Sequence, residues 1–211
     1  MDTQVILDFF FAPYYEYEAV DIILEAWGVI FGLLSVWYAK KENILVYPTG
    51  LISTAIFVYL LYHWGLYGDM GINAYYFSMS IYGWYNWSRP SENASILPIS
   101  WASKKEHLWA GAILLASFGA LYYVLTNFTD STVPLIDSIT TAIFFVGMWF
   151  MAKKKIENWL YWIVGDAISI PLYFYKGLTL SSFQYIIFLI IAIQGYFAWK
   201  NSLNTKTPVH V

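Results

Sequence analysis

A lone carboxylate set among tryptophans is the feature of this chain best placed to do chemistry. Between Asn158 and Tyr173 the residues Trp159, Trp162, Asp166, Ser169 and Tyr173 recur at helical spacing, so a helix puts them on one stripe. The stripe is about 21 Å long at roughly 1.5 Å rise per residue. Aromatic faces attract a cation through the ring quadrupole, more strongly where water is excluded. A carboxylate between tryptophans, with a hydroxyl one turn on, therefore suits a flat, cationic or hydrogen-bonding solute. Pro171 removes one backbone donor beside these residues and predicts a bend there.

Two further segments carry polar groups in apolar surroundings. Asn73, Tyr76, Ser80, Trp84 and Trp87 share one helical face, with Asn86 off it. Gln184 lies on the face of Gly195, and Gln194 is turned about 80° away. Amides at these positions supply both donors and an acceptor for a carboxamide or for sugar hydroxyls. Each group also has a structural reading. Asp166 can tie two helices together, the glutamines can serve as inter-helix hydrogen bonds, and Gly83 and Gly195 can be close-packing points. Most of the tryptophans and tyrosines belong to interfacial belts or packing.

Other chemistries lack their residues. There is no cysteine, which removes disulfides and thiolate chemistry. His63, His107 and His210 show no metal-ligand spacing, so neither a metal nor another cofactor is expected. No nucleophile–base pair accompanies Asp166, which argues against an enzyme. Residues 181–199 contain no lysine for a retinal Schiff base, which argues against a photoreceptor. A net charge of −3 without a basic patch argues against nucleic acid as a partner.

The elements that must position these groups are membrane helices. Of 211 residues, 59% are hydrophobic and only 12% charged, about half the charge of a soluble domain. Too little polar surface remains to cover a globule in water, and the long apolar runs call for a bilayer. Spans of roughly 20 residues are expected near 19–38, 44–63, 71–88, 107–126, 133–152, 157–175 and 181–200. Lysine and arginine placement agrees with seven. Ten of the eleven fall after spans one, three, five and seven, and Lys176 alone lies on the other side. The positive-inside rule then puts the N-terminus outside and the C-terminus in the cytoplasm. Residues 1–18 have acidic groups where a cleavable signal has basic ones, and Val5 to Tyr15 read as an interfacial segment.

The chain also reads as two related halves. Asn43, Tyr47 and Gly50 follow Trp37 and a basic turn, and Asn158, Trp162 and Gly165 follow Trp149 and a turn three residues longer. The halves close on Gly83 to Trp87 and Gly195 to Trp199. The expected architecture is an all-α integral membrane protein with seven transmembrane helices in a 3+1+3 parallel-repeat arrangement. An N-terminal segment (1–18) precedes a first three-helix bundle (19–88). A loop and linker helix (89–132) lead to a second bundle (133–200) and a tail (201–211).

The segment Glu157 to Asp166 (ENWLYWIVGD), followed by Ile170 to Tyr173, resembles the most recognisable stretch of the PnuC vitamin transporters. Ser80 to Trp87 and the closing Gly195 to Trp199 are similar as well, and the likeness runs over roughly residues 20 to 200. The resemblance implies a layout like that of the SWEET carriers and facilitated diffusion of nicotinamide riboside across a bacterial inner membrane. It implies a cytoplasmic kinase that traps the solute by phosphorylation, and a homo-oligomer, with a trimer the first state to test. Relatives carrying thiamine or riboflavin make those the alternative solutes, and Asp166 as a proton site is a further alternative. Carried over by motif, the site candidates are Trp84, Trp87, Asn158, Trp162, Asp166 and Tyr173. The helical faces add Asn73, Tyr76, Ser169, Gln184 and Gln194.

Overall fold

A computed structural model describes residues 18–89, 97–176 and 179–206. The expected interfacial segment at Val5 to Tyr15 lies outside them. Seven helices follow in order: α1 (Ala19–Lys40), α2 (Val46–His63), α3 (Tyr67–Trp87), α4 (Lys104–Phe128), α5 (Pro134–Ala152), α6 (Asn158–Tyr175) and α7 (Thr179–Lys206). A helix stands at each of the seven spans expected from sequence. Helix α3 begins four residues before its expected start, and α7 runs six past its expected end. Helix α6 continues through Pro171.

Five of the helical stretches are long and apolar enough to cross a bilayer: Ala19–Lys40, Val46–His63, Lys104–Phe128, Pro134–Ala152 and Ser181–Thr205. Helices α3 and α6 fall short because Asp69, Asn73, Ser80 and Asn86 interrupt one, and Asn158, Asp166 and Ser169 the other. Ser80, Asn158, Asp166 and Ser169 are buried, so much of this polarity is turned inward and away from lipid. The helix packing explains how. Helix α1 packs on α2 and α2 on α3, while α5 packs on α6 and α6 on α7. Contacts of α1 with α7 and of α3 with α5 close these into a ring of six, and α4 packs against the outside of α5.

The two halves correspond residue by residue at a spacing of 112, and this corrects the register read from sequence. Helices α1 and α5 end at Lys40 and Ala152, and α2 and α6 begin at Val46 and Asn158, so the two turns have equal length. Glu42 and Lys154 occupy the same place in them, with φ of 54° and 56°. The amides of Glu42 and Lys154 donate to Ala39 and Met151, and those of Asn43 and Lys155 to Tyr38 and Phe150. Tyr47 thus corresponds to Trp159 rather than to Trp162. Matching Asn43 to Asn158 follows residue type, whereas the backbone aligns Asn43 with Lys155.

Both glycines of the closing motifs are contact points. A Cβ on Gly83 would stand 2.4 Å from the Tyr47 ring, and one on Gly195 would stand 2.6 Å from the Trp159 ring. One turn on, the Trp87 indole N–H donates to the Met151 carbonyl (3.1 Å) and that of Trp199 to Ala39 (3.0 Å). Each bond crosses from one half to the other near a helix end. Glu42 and Lys154 pair between the same halves at 3.6 Å, and Ser202 donates to Glu42 at 2.7 Å. The segment before α4 is pinned to the same end, where the Ser100 amide donates to Lys154 and the Ile156 amide to Ser100. There Ser103 and Glu106 cap α4, and Glu106 meets Lys153 at 2.8 Å and Lys155 at 3.2 Å. At the opposite end Lys176 bridges from α6 to Asp137 of α5 at 2.5 Å, and Ser131 donates to the same carboxylate.

Candidate functional site

The ring of six helices encloses a cavity of about 250 Å³ to which all six contribute. This lies near the lower edge of the roughly 300–1,000 Å³ common for small-molecule sites. One wall is aromatic. Phe144 stacks on Trp162 (centroids 5.5 Å apart) and on Tyr185 (6.0 Å), while Tyr76 approaches Trp162 at 6.4 Å. Residues of α1 and α2 form the opposite wall, where the small and hydroxylic Gly28, Gly32, Ser35, Gly50, Ser53 and Thr54 stand among Val29, Val36 and Phe57. Tyr47 and Trp159 line the end nearest the basic turns.

Asp166 lies on the cavity wall and is only 3% exposed. It makes no hydrogen bond to a described residue, and the Tyr76 and Tyr185 side chains line the same cavity. A buried carboxylate without a partner is costly, and a cationic or donor-rich guest offsets that cost. Aromatic faces, a carboxylate and the Gln184 amide together match a flat cation bearing hydrogen-bonding groups. Among the described residues no cluster of side chains is suited to a metal ion.

The structure gathers five of the residues selected from sequence on this cavity: Asn73, Tyr76, Trp162, Asp166 and Gln184. The other six stand elsewhere, chiefly because the sequence stripes are longer than the cavity. Ser169 and Tyr173 lie beyond Asp166 toward the Lys176 end. Ser169 is buried off the wall, and Tyr173 packs on Tyr185 at 4.9 Å and so backs the wall without facing the space. Trp84 and Trp87 lie beyond Ser80 toward the basic end. Trp84 is 41% exposed on the outer surface, and Trp87 is committed to Met151 and to the rings of Tyr47 and Trp199. Asn158 is buried at the start of α6, where its amide donates to Lys155. Gln194 is exposed and accepts from Lys40 at 2.8 Å.

Sequence reasoning missed the small-residue wall altogether. Its glycines and serines carry no chemical signature alone, and only the correspondence with the second half makes them stand out. Phe144, Tyr185 and Phe188 were lost among the many aromatic residues that face lipid.

A family profile described as nicotinamide mononucleotide transporter matches residues 22–201. The nicotinamide riboside transporter PnuC of Escherichia coli (strain K12) is 30% identical over 208 residues, covering 87% of each chain. The chain belongs to the PnuC family. The resemblance seen in the Glu157 to Asp166 segment is thereby met, and PnuC membership makes this a multi-pass membrane transporter rather than an enzyme. The riboflavin/roseoflavin transporter RibM of Streptomyces davaonensis is also similar, at 24% identity over 188 residues, covering 86% of this chain and 87% of RibM. A crystal structure of the vitamin B3 transporter PnuC matches the fold with a TM-score of 0.70 and 24% identity, covering 90% of this chain and 85% of the other.

Proposed function

We propose that this PnuC-family chain carries nicotinamide riboside by facilitated diffusion across a bacterial inner membrane. The observation that carries the reading is Asp166, buried on a cavity with an aromatic wall and without a hydrogen bond to a described residue. Nicotinamide riboside offers a pyridinium cation for those rings, a carboxamide for Gln184 or Asn73, and ribose hydroxyls for the α1–α2 wall. The name of the Escherichia coli relative supports the same solute. Riboflavin is the second reading, favoured by the likeness to RibM. The three fused rings of a flavin fit a cavity of about 250 Å³ less well than one pyridinium does.

Transport proceeds by alternating access. The 3+1+3 arrangement supplies two bundles, α1–α3 and α5–α7, with α4 as the linker outside the ring. The equal turns and the exchanged contacts of α1 with α7 and α3 with α5 support this arrangement. Rocking one bundle against the other opens the cavity to each side in turn. The end carrying Lys40, Lys153 and Lys154 faces the cytoplasm, in line with the positive-inside rule. Phosphorylation of the delivered riboside by a cytoplasmic kinase makes uptake net inward without an ion gradient. Titration calorimetry of the detergent-purified protein against nicotinamide riboside, thiamine and riboflavin tests the solute. Micromolar binding of nicotinamide riboside alone is expected. Binding of riboflavin or thiamine alone transfers the mechanism to that vitamin, and no binding of any of the three overturns the reading.

A further inference from the structure

The spacing of 112 that relates the halves also shows where their side chains differ most. Gly32 corresponds to Phe144, and Gly50 corresponds to Trp162. All four residues line the cavity. The second half thus fills two positions with large rings that the first half leaves empty. The space in the ring is the direct result of this asymmetry, and it lies toward α1 and α2.

The emptied side is chemically distinct. A Cβ on Gly50 would stand 3.1 Å from the Ser35 hydroxyl and 3.5 Å from that of Ser80, and one on Gly32 would stand 3.1 Å from the Ser53 hydroxyl. The glycines therefore leave three hydroxyls uncovered. Ser35 donates its proton to the Val46 carbonyl (2.7 Å) and Ser53 donates to Gly28 (2.8 Å), so both present lone pairs to the cavity. Ser80 is 3% exposed, lines the cavity and makes no hydrogen bond to a described residue. A hydroxyl that lines the cavity with no bond to a described residue has its donor and acceptor available to a guest. The wall opposite carries the rings of Phe144, Trp162 and Phe188, and its polar groups are the Trp162 indole N–H and the Tyr76 and Tyr185 phenols, beside Asp166 and Gln184.

We infer that Gly32, Gly50 and the Ser80 hydroxyl form the subsite for the polyhydroxyl, sugar-like end of the solute, and that the two glycines set how bulky that end can be. The inference rests on the nucleoside reading above and names the residues that distinguish a riboside from its bare ring. Hydroxyls of the sugar donate to Ser35 and Ser53, and Ser80 pairs with a third. The ring end lies against Trp162 and Asp166.

The test is calorimetry of the purified full chain with nicotinamide riboside and, by displacement, with 1-methylnicotinamide, which keeps the cationic ring and carboxamide but has a methyl group for the sugar. Gly50→Ala is expected to weaken riboside binding at least tenfold while leaving 1-methylnicotinamide within twofold of wild type. Ser80→Ala, which has no internal bond to lose, is expected to weaken the riboside by roughly three- to tenfold with the same sparing of the methyl analogue. Gly111→Ala, where a Cβ meets nothing within 4 Å, serves as the control. If Gly50→Ala does not fold, Ser80→Ala decides alone. Equal losses for both ligands, or unchanged riboside binding in folded variants, overturn the subsite and leave the transporter reading intact. A wild type that binds no riboside removes that reading, and this inference with it.

Discussion

Replacing Trp199 with phenylalanine tests whether the basic end of the ring is a gate. The indole N–H of Trp199 donates to the Ala39 carbonyl at 3.0 Å, and this bond joins α7 to α1 across the two bundles. Phenylalanine keeps a ring between Trp87 and Trp159, which lie 5.9 and 5.5 Å away, but has no donor. The Ala39 carbonyl keeps the Glu42 amide as a donor, so the loss is that of one inter-helix hydrogen bond, which in membranes averages about 0.6 kcal/mol and reaches about 1.7. A loss of about 1 kcal/mol from the closed end shifts its open population about fivefold. Trp87→Phe removes the corresponding bond to Met151. The two rings touch, so the double variant is expected to fall short of the roughly 25-fold that independent latches would produce. The chain has no cysteine of its own, so Ala192→Cys on the cavity wall is a clean reporter. The assay is its rate of labelling by an impermeant maleimide in inside-out vesicles. Labelling within twofold of the Trp199 background in both the single and the double variant would refute the gate.

Three further outcomes follow from the same geometry. Gly195→Ala and Gly83→Ala force a methyl group onto the Trp159 and Tyr47 rings and should each cost about 1–3 kcal/mol, read as a lower melting temperature in detergent. Trp162→Ala should weaken binding of a cationic solute by about 1–2 kcal/mol through loss of a desolvated ring face, whereas Trp84→Ala, on the outer surface, should leave affinity unchanged by calorimetry. Glu42→Gln should destabilise the protein by about 2 kcal/mol, below the roughly 3–5 of a fully buried pair, because the Lys154 partner is buried while Glu42 is partly exposed. The reversal Glu42→Lys with Lys154→Glu should recover part of that loss of melting temperature, and no recovery would deny the pair a role.

Sequence alone determined the class, the number of helices and the segments that carry polar chemistry. The reason is that a bilayer demands about 20 apolar residues per span and makes each buried polar group conspicuous. Asp166 and Trp162 stand out for that reason, and both face the cavity. The register of the repeat was decided by backbone geometry. Glu42 and Lys154 have unlike side chains but share a left-handed turn position, whereas Asn43 and Asn158 look alike and are not equivalent. Which turns of each stripe line the site was likewise a tertiary matter. Trp87, Ser169 and Tyr173 lie beyond the ends of the cavity and Trp84 is on the outer surface, because the space exists only where small residues of one half oppose large rings of the other. Gly50 acquires meaning only from Trp162, its counterpart 112 positions away, and a relation between two distant residues is set by packing rather than by any local pattern.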